Sequence, residues 1–374
     1  MHQFTSFASA VLLVACSTGS VVEAQTSRDD PRLREGLRRY PVADADGDGV
    51  LTMQEAKAFL ASRGMTVAEA LRPADPPRGK PLAPDVADVA YGSHERCRID
   101  LYLPQRADGL TPVVVLIHGG GFKGGDKRVW ATNAVTRELL AKGVACAAIN
   151  YPLLDSMPIQ EILRHCGTAV QVLRSRAGEW GLDPDRLALM GSSAGAGTAL
   201  WLATRDDLAD PASEDPVRRQ STRPVCAVCN ATQATYDFSR WQSFLGDFSA
   251  VMRDGDAEAA RFYHLPSVES LSDDRGRAIR RECDMLDWIT PDDPPLLLDN
   301  PEAEAVPKTR SQVVHSVHHA RAVRAECAAD GVECIVRQDH PEPKPLAVEF
   351  LVAKLRAAPA VAGRPPKGPT PDRP

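Results

Sequence analysis

The sequence predicts an α/β fold, a mainly parallel sheet flanked by helices, preceded by a small helical module. Three observations predict it. From residue 86 onward, short apolar runs alternate with segments of helical spacing. One of those runs, Val113, Val114, Val115, Leu116 and Ile117, is apolar without interruption, as a strand covered on both faces must be. An acidic, glycine-containing segment at residues 44–55 is set apart from these runs by Pro73, Pro76, Pro77, Pro81 and Pro84, a composition that resists packing and acts as a spacer.

The elements follow in order. Residues 98–103 alternate apolar and polar, as in a half-exposed strand, and residues 113–117 form a buried one. Residues 133–142 read as a helix stopped by Gly143, and 144–149 as a strand. A helix is expected over 159–180, a strand over 187–190 and a helix over 196–205. Residues 225–229 and 295–298 are further buried strands. A helix over 315–329, a strand over 332–337 and a helix over 346–357 complete the series. Repeated β-then-α segments with short apolar strands require a mainly parallel sheet with helices on both faces.

The 374 residues exceed one minimal domain. A net charge of -6 gives no basic face for nucleic acid. The short apolar run at residues 4–15 reads as an export signal, with Val22, Glu23 and Ala24 as a cleavage site after residue 24. In the alternative, Leu13, Val14 and Ala15 precede an acylated Cys16, which would be the only membrane anchor. Either reading places the protein outside the cytoplasm, in the periplasm or beyond. The expected layout is a signal at 1–24 (or to 15), a module at 32–72, a linker at 73–85, a main domain at 86–357 and a disordered tail at 358–374. Cys226 and Cys229 lie three apart in a strand-like run and so point to opposite faces, as core thiols.

The chemistry is carried by two motifs. Gly191-Ser192-Ser193-Ala194-Gly195 sits between a strand and a helix. Glycines on either side free the space that a sharp strand-to-helix turn needs, and the turn lifts the Ser193 hydroxyl above the sheet edge. His118-Gly119-Gly120-Gly121 follows the buried strand directly. Its bare amides at Gly119 and Gly120, with that of Ala194, can form an oxyanion hole. His118 is expected to organise the loop rather than act as base.

These motifs resemble the α/β-hydrolase superfamily, specifically its HGGG-type esterase and lipase group. Asp100-Leu101-Tyr102-Leu103-Pro104, Ile149-Asn150-Tyr151-Pro152 and Gly181-Leu182-Asp183-Pro184-Asp185-Arg186 extend the likeness over about residues 86–357. The resemblance implies the α/β-hydrolase fold, ester hydrolysis through an acyl-enzyme on Ser193, and a chain order of serine, acid, histidine. It places the base after the last strand, which selects His340, with His318 or His319 in reserve. It places the acid after the strand at 295–298, where Asp299, Glu302 and Glu304 are candidates. This chain has Pro341 where the group has glycine after its histidine, and no HGxxD sequence precedes the acids. His315, His318 and His319 share one helix face by spacing, either as a metal site or as a solvated polar face. Residues 237–289 exceed an ordinary connection. In that stretch Trp241, Phe244, Leu245, Phe248 and Met252 are spaced as one helix face, either a pocket wall or a core stripe.

The module contains Asp44-Ala45-Asp46-Gly47-Asp48-Gly49-Val50-Leu51-Thr52-Met53-Gln54-Glu55. It resembles the EF-hand loop, which implies a structural calcium ion held by Asp44, Asp46, Asp48, Glu55 and the Val50 carbonyl. The exit helix is expected at residues 53–62, and no second loop is found to pair with Leu51. The expected function is an exported esterase acting on small or carbohydrate-linked esters, with calcium as its structural ion and no catalytic cofactor. The alternative is a pseudo-hydrolase that keeps Ser193, lacks its acid and serves as a calcium-stabilised binding module.

Overall fold

The computed structural model describes residues 26–30, 33–34, 36–37, 43–62, 80–105, 109–300, 307–344 and 346–358. The export signal, Cys16, Glu302, Glu304 and the tail beyond 358 lie outside the described residues. The chain divides into two compact units, Met1–Pro77 and Arg78–Pro374.

In the first unit, α1 (Met53–Ser62) follows the acidic loop. Leu33, Ala43 and Leu51 form its small apolar centre, with Leu37, Met53, Ala56 and Phe59 packed against them. Leu51 has a backbone partner after all. The Ser27 amide donates to the Leu51 carbonyl at 2.8 Å, the Leu51 amide donates to the Ser27 hydroxyl at 3.0 Å, and Thr26 bridges Thr52. A short upstream segment thus occupies the pairing edge of the loop.

The second unit is built on strands β1 (Val86–Ala90), β2 (Arg98–Tyr102), β3 (Thr111–Ile117), β4 (Ala145–Asn150), β5 (Leu182–Ser192), β6 (Ala227–Asn230), β7 (Leu296–Asp299) and β8 (Cys334–Val336). They form one sheet in the order β1-β2-β4-β3-β5-β6-β7-β8, with the β1–β2 and β2–β4 pairs antiparallel and the remaining pairs parallel. Helices α2 (Ala134–Ala141), α3 (Ile159–Ser175), α4 (Ala194–Thr204), α5 (Trp241–Leu245), α6 (Gly255–Phe262), α7 (Asp274–Glu282), α8 (Arg310–Val314), α9 (Val317–Ala329) and α10 (Ala347–Ala357) complete it. No helix among the described residues is long and apolar enough to cross a membrane.

The period of two along β3 sorts the core into two faces. Val113, Val115 and Ile117 pack with side chains of α3, α4 and α9, while Val114 and Leu116 pack with Leu139 of α2 and Val348, Leu351 and Leu355 of α10. Every residue of α4 is buried, which explains why its sequence is apolar all round rather than on one stripe. Cys229 joins the first face and Cys226 the second, and all eight described cysteines are free thiols.

Topology decides where the site forms. From β3 the chain crosses to β4 on one side, then returns to β5 on the other. The carboxyl ends of β3 and β5 therefore face each other across a switch point, where loops diverge and leave a crevice. The HGGG loop leaves β3 there, and Ser193 leaves β5 there.

Several expected elements differ. The helix expected over 159–180 ends at Ser175 and gives way to a 3₁₀ turn, Ala177–Trp180, closed by Gly181 at φ 63°. The helix expected over 315–329 starts only at Val317, because the Ser316 hydroxyl caps the His318 amide. His315, off that helix, shares no face with His318 and His319. The stripe from Trp241 to Met252 is not one helix: Gly246, at φ 72°, ends α5. Trp241, Leu245 and Met252 still meet in one apolar cluster with Val313.

Candidate active site

Ser193 stands between β5 and α4 with φ 52° and ψ -118°. This backbone is costly for a residue with a Cβ and persists only where its surroundings enforce it. The flanking glycines explain the enforcement. A Cβ on Gly191 would lie 2.0 Å from the Gly195 carbonyl oxygen, and one on Gly195 would lie 2.2 Å from that of Ile117. The Ser193 amide donates to the Asn230 carbonyl at 2.8 Å, anchoring the turn to β6.

The structure brings His315 to Ser193. The Ser193 Oγ is 2.9 Å from His315 Nε2, and Ser311 Oγ lies 3.4 Å from His315 Nδ1. His315 caps the short helix α8, with its amide bonded to the Ser311 carbonyl. Asn300, fully buried, holds this segment in place. Its side-chain amide donates to the carbonyls of Thr232 at 2.8 Å, Ser316 at 3.0 Å and His315 at 3.3 Å.

His340, the histidine expected here from the sequence, is elsewhere. It is partly exposed, and its Nδ1 donates to the Pro341 carbonyl at 2.8 Å. The neighbouring Asp339 is tied to Arg321 and Arg324 of α9, which fixes the turn after β8 on that side. His319 is fully buried, with Nδ1 accepting from the Ala234 amide at 3.1 Å and Nε2 donating to the Val313 carbonyl at 3.0 Å. Burial pushes its pKa down to about 3, so it is a neutral core residue with both nitrogens engaged. His318 is the second residue of α9, with its amide on the Ser316 hydroxyl.

Asp299, one of the three expected acids, ends β7 with its carboxylate engaged by Gln338 Nε2 at 2.6 Å and Arg337 at 3.3 Å. β7 stays paired through this residue, opposite Asn230, so its carboxylate serves the β7–β8 edge. Glu302 and Glu304 fall in residues 301–306, outside the described residues.

The loop after β3 is pressed against the serine. A Cβ on Gly119 would stand 2.8 Å from the Ser192 carbonyl oxygen and 3.4 Å from Ser193 Cβ. Gly120 adopts φ 122°, with the Gly124 carbonyl 2.2 Å from where a Cβ would be, so the close backbone approach requires glycine. Ala194, whose amide was expected in the oxyanion hole, begins α4. His118 organises the loop, as expected: it is buried, donates from Nδ1 to the Gly119 carbonyl at 2.7 Å and stacks on Tyr151 at 4.3 Å. Burial lowers its pKa to about 4, so it remains neutral near pH 7. The Tyr151 hydroxyl donates to the His118 carbonyl at 2.6 Å. Arg96 braces the far end, donating to the carbonyls of Gly125 and Tyr151, each at 2.9 Å. Lys127 is buried between Asp88 at 2.7 Å and Asp100 at 2.8 Å, and its amide donates to Asn150 Oδ1 at 2.6 Å.

A cavity of about 280 Å³ opens beside Ser193 and His315, with Phe122, Tyr236, Phe238, Trp241, Met252 and Phe262 on its walls. Phe238 to Phe262 come from the long insertion between β6 and β7. The pocket-wall reading of this segment fits Trp241 and Met252, and the core reading fits Leu245.

A serine on a strained strand-to-helix turn, within hydrogen-bond distance of an imidazole and beside a glycine loop, is arranged for acyl transfer. A probable isoprenylcysteine alpha-carbonyl methylesterase of Arabidopsis thaliana is 30% identical over 135 residues, 36% of this chain and 28% of that protein. A probable carboxylic ester hydrolase, LipM, of Mycobacterium tuberculosis is 29% identical over 158 residues, 41% of this chain and 36% of that protein. The chain thus spans only about 28% and 36% of these relatives' lengths. Among solved structures, a truncated carbohydrate esterase from gut microbiota superposes with a TM-score of 0.55 at 14% identity, covering 74% of this chain and 100% of that one; this shows the shared fold. The BD-FAE family model matches residues 99–317, more than half of the 374 residues and including both motifs and His315, and the chain belongs to this family of α/β-hydrolase esterases.

Proposed function

We propose that the protein is a carboxylic-ester hydrolase with Ser193 as nucleophile and His315 as general base. The observation that carries this reading is the 2.9 Å approach of Ser193 Oγ to His315 Nε2 on the strained turn. His315 takes the hydroxyl proton as Ser193 attacks the ester carbonyl. The amides of Gly119, Gly120 and Ala194 receive the developing oxyanion, helped by the positive end of α4. Protonated His315 passes its proton to the leaving alcohol, and water then releases the acyl group by the same steps. Glu302 or Glu304, in the segment before α8, supplies the carboxylate that orients His315. The substrate is a small or carbohydrate-linked ester met outside the cytoplasm. Turnover of p-nitrophenyl butyrate by the purified chain tests the reading; a protein that binds this ester without hydrolysing it is the pseudo-hydrolase alternative.

We further propose that the acidic loop holds a structural calcium ion. Carboxylate oxygens of Asp44, Asp46 and Asp48 lie within 4.8 Å of one another, and Gly47 and Gly49 take φ of 71° and 80° to curl the loop around that point. An all-oxygen donor set suits a hard cation. Glu55 sits at the start of α1, accepting from the Thr52 amide at 2.9 Å and the Ala45 amide at 3.1 Å. Calcium at about 100 times its dissociation constant is expected to stabilise the first unit by about 2.7 kcal/mol. Thermal melting with and without chelator reads this shift; an unchanged melting curve, or the same shift in Asp44→Ala, contradicts calcium binding here.

A further inference from the structure

The walls of the cavity beside Ser193 are largely apolar, and among the described residues its charged side chains are Lys123, Glu258 and Arg310. Glu258 of α6 is shared by both cations. Arg310 of α8 grips it with two hydrogen bonds, one of 2.6 Å, and Lys123 Nζ stands 3.8 Å away, beyond hydrogen-bond distance. The two cations are largely exposed, with side chains 69% and 54% accessible against 19% for Glu258. Among the described residues that line this cavity, one carboxylate therefore faces two cations.

The neighbouring cavity has the reverse sign. Beyond Phe238, Trp241 and Met252 lies a second cavity of about 490 Å³, which carries Asp247, Asp254 and Asp256 against Arg253 alone. An anionic group is repelled from that side and drawn to the Lys123 side. Long-range charge of this kind selects and orients a ligand even where each exposed contact is weak.

We propose that the ester substrate carries a carboxylate, and that Lys123 and Arg310 bind it while the apolar body lies along Phe122, Tyr236 and Phe262. The chemical class is an ester with one free carboxylate at an end remote from the scissile bond: a half-ester of a dicarboxylic acid, or an ester of a hydroxy- or phenol-carboxylic acid. Lys123 and Arg310 are specificity-determining residues. This inference rests on the esterase reading above.

The test compares kcat/KM within two isosteric pairs, each normalised to its rate of alkaline hydrolysis. On the acyl side the pair is mono-4-nitrophenyl glutarate and its neutral 4-carbamoylbutyrate counterpart. On the alcohol side it is 3-carboxyphenyl butyrate and 3-carbamoylphenyl butyrate. At low ionic strength the charged member of at least one pair is expected to be favoured about tenfold, with the ratio shrinking as salt rises. Lys123→Gln is expected to cut that ratio about tenfold and Lys123→Glu to invert it. Ser193-dependent hydrolysis with no charge preference, or a ratio that neither Lys123 variant moves, overturns the proposal and leaves the Glu258–Arg310 pair as a tie between α6 and α8. Absence of Ser193-dependent hydrolysis for all four esters overturns the esterase reading beneath it as well.

Discussion

Ser193→Ala is expected to lower kcat for p-nitrophenyl butyrate by at least about 10⁴-fold, with KM and thermal stability little changed. The size follows from the step removed: without the hydroxyl no acyl-enzyme forms, and only the oxyanion loop and the pocket remain to assist water. The unchanged stability follows from geometry. The backbone at 193 has φ 52°, and alanine carries the same Cβ as serine, so the strain is not altered. The Ser193 amide keeps its bond to the Asn230 carbonyl, and Gly119 keeps its place beside the turn. A variant with normal melting and normal turnover contradicts Ser193 as nucleophile.

His315→Ala is expected to fall nearly as far, about 10³- to 10⁴-fold in kcat, because nucleophile and base act as one unit. His340→Ala is expected to stay within about twofold, as for a partly exposed residue whose ring bonds the adjoining backbone. The pair discriminates sharply because the two histidines differ in place, not in chemistry. His315 Nε2 is 2.9 Å from the serine hydroxyl, whereas the His340 ring is turned to the Pro341 carbonyl. The deletion at 315 leaves the segment held by Asn300 through backbone carbonyls, so a loss of turnover with a normal melting curve reports chemistry rather than unfolding. Loss on His340→Ala with retention on His315→Ala reverses the assignment.

Much of this was legible in the residues. The central strands were readable because they are covered on both faces and so are apolar throughout, from Val113 to Ile117 most plainly. The serine turn was readable because backbone atoms crowd Gly191 and Gly195 and leave no other residue type possible there. The histidine was not. The spacing of His315, His318 and His319 suggests one helix, and the competing signal was the cap at Ser316, which ends that continuity right after His315. The expectation that the base follows the last strand then favoured His340, with nothing local in the sequence to show that Arg321 and Arg324 tether the adjoining Asp339. The stripe from Trp241 to Met252 misled for a similar reason: its residues do cluster, but across the helix end at Gly246 rather than along one helix. The partner of Leu51 was hidden because Thr26 and Ser27 supply backbone pairing without any repeat of the acidic loop.

The most direct test of the central claim is covalent labelling by an activated phosphonate ester, followed by peptide mapping, in the wild type and in His315→Ala and His340→Ala. A serine phosphonylates at a useful rate only when its base and oxyanion donors are assembled around it. The account predicts one label per chain, on Ser193, formed at the same rate in His340→Ala and at least about 10²-fold more slowly in His315→Ala. Labelling at another residue, or at Ser193 with a rate that His315→Ala leaves unchanged, would contradict it.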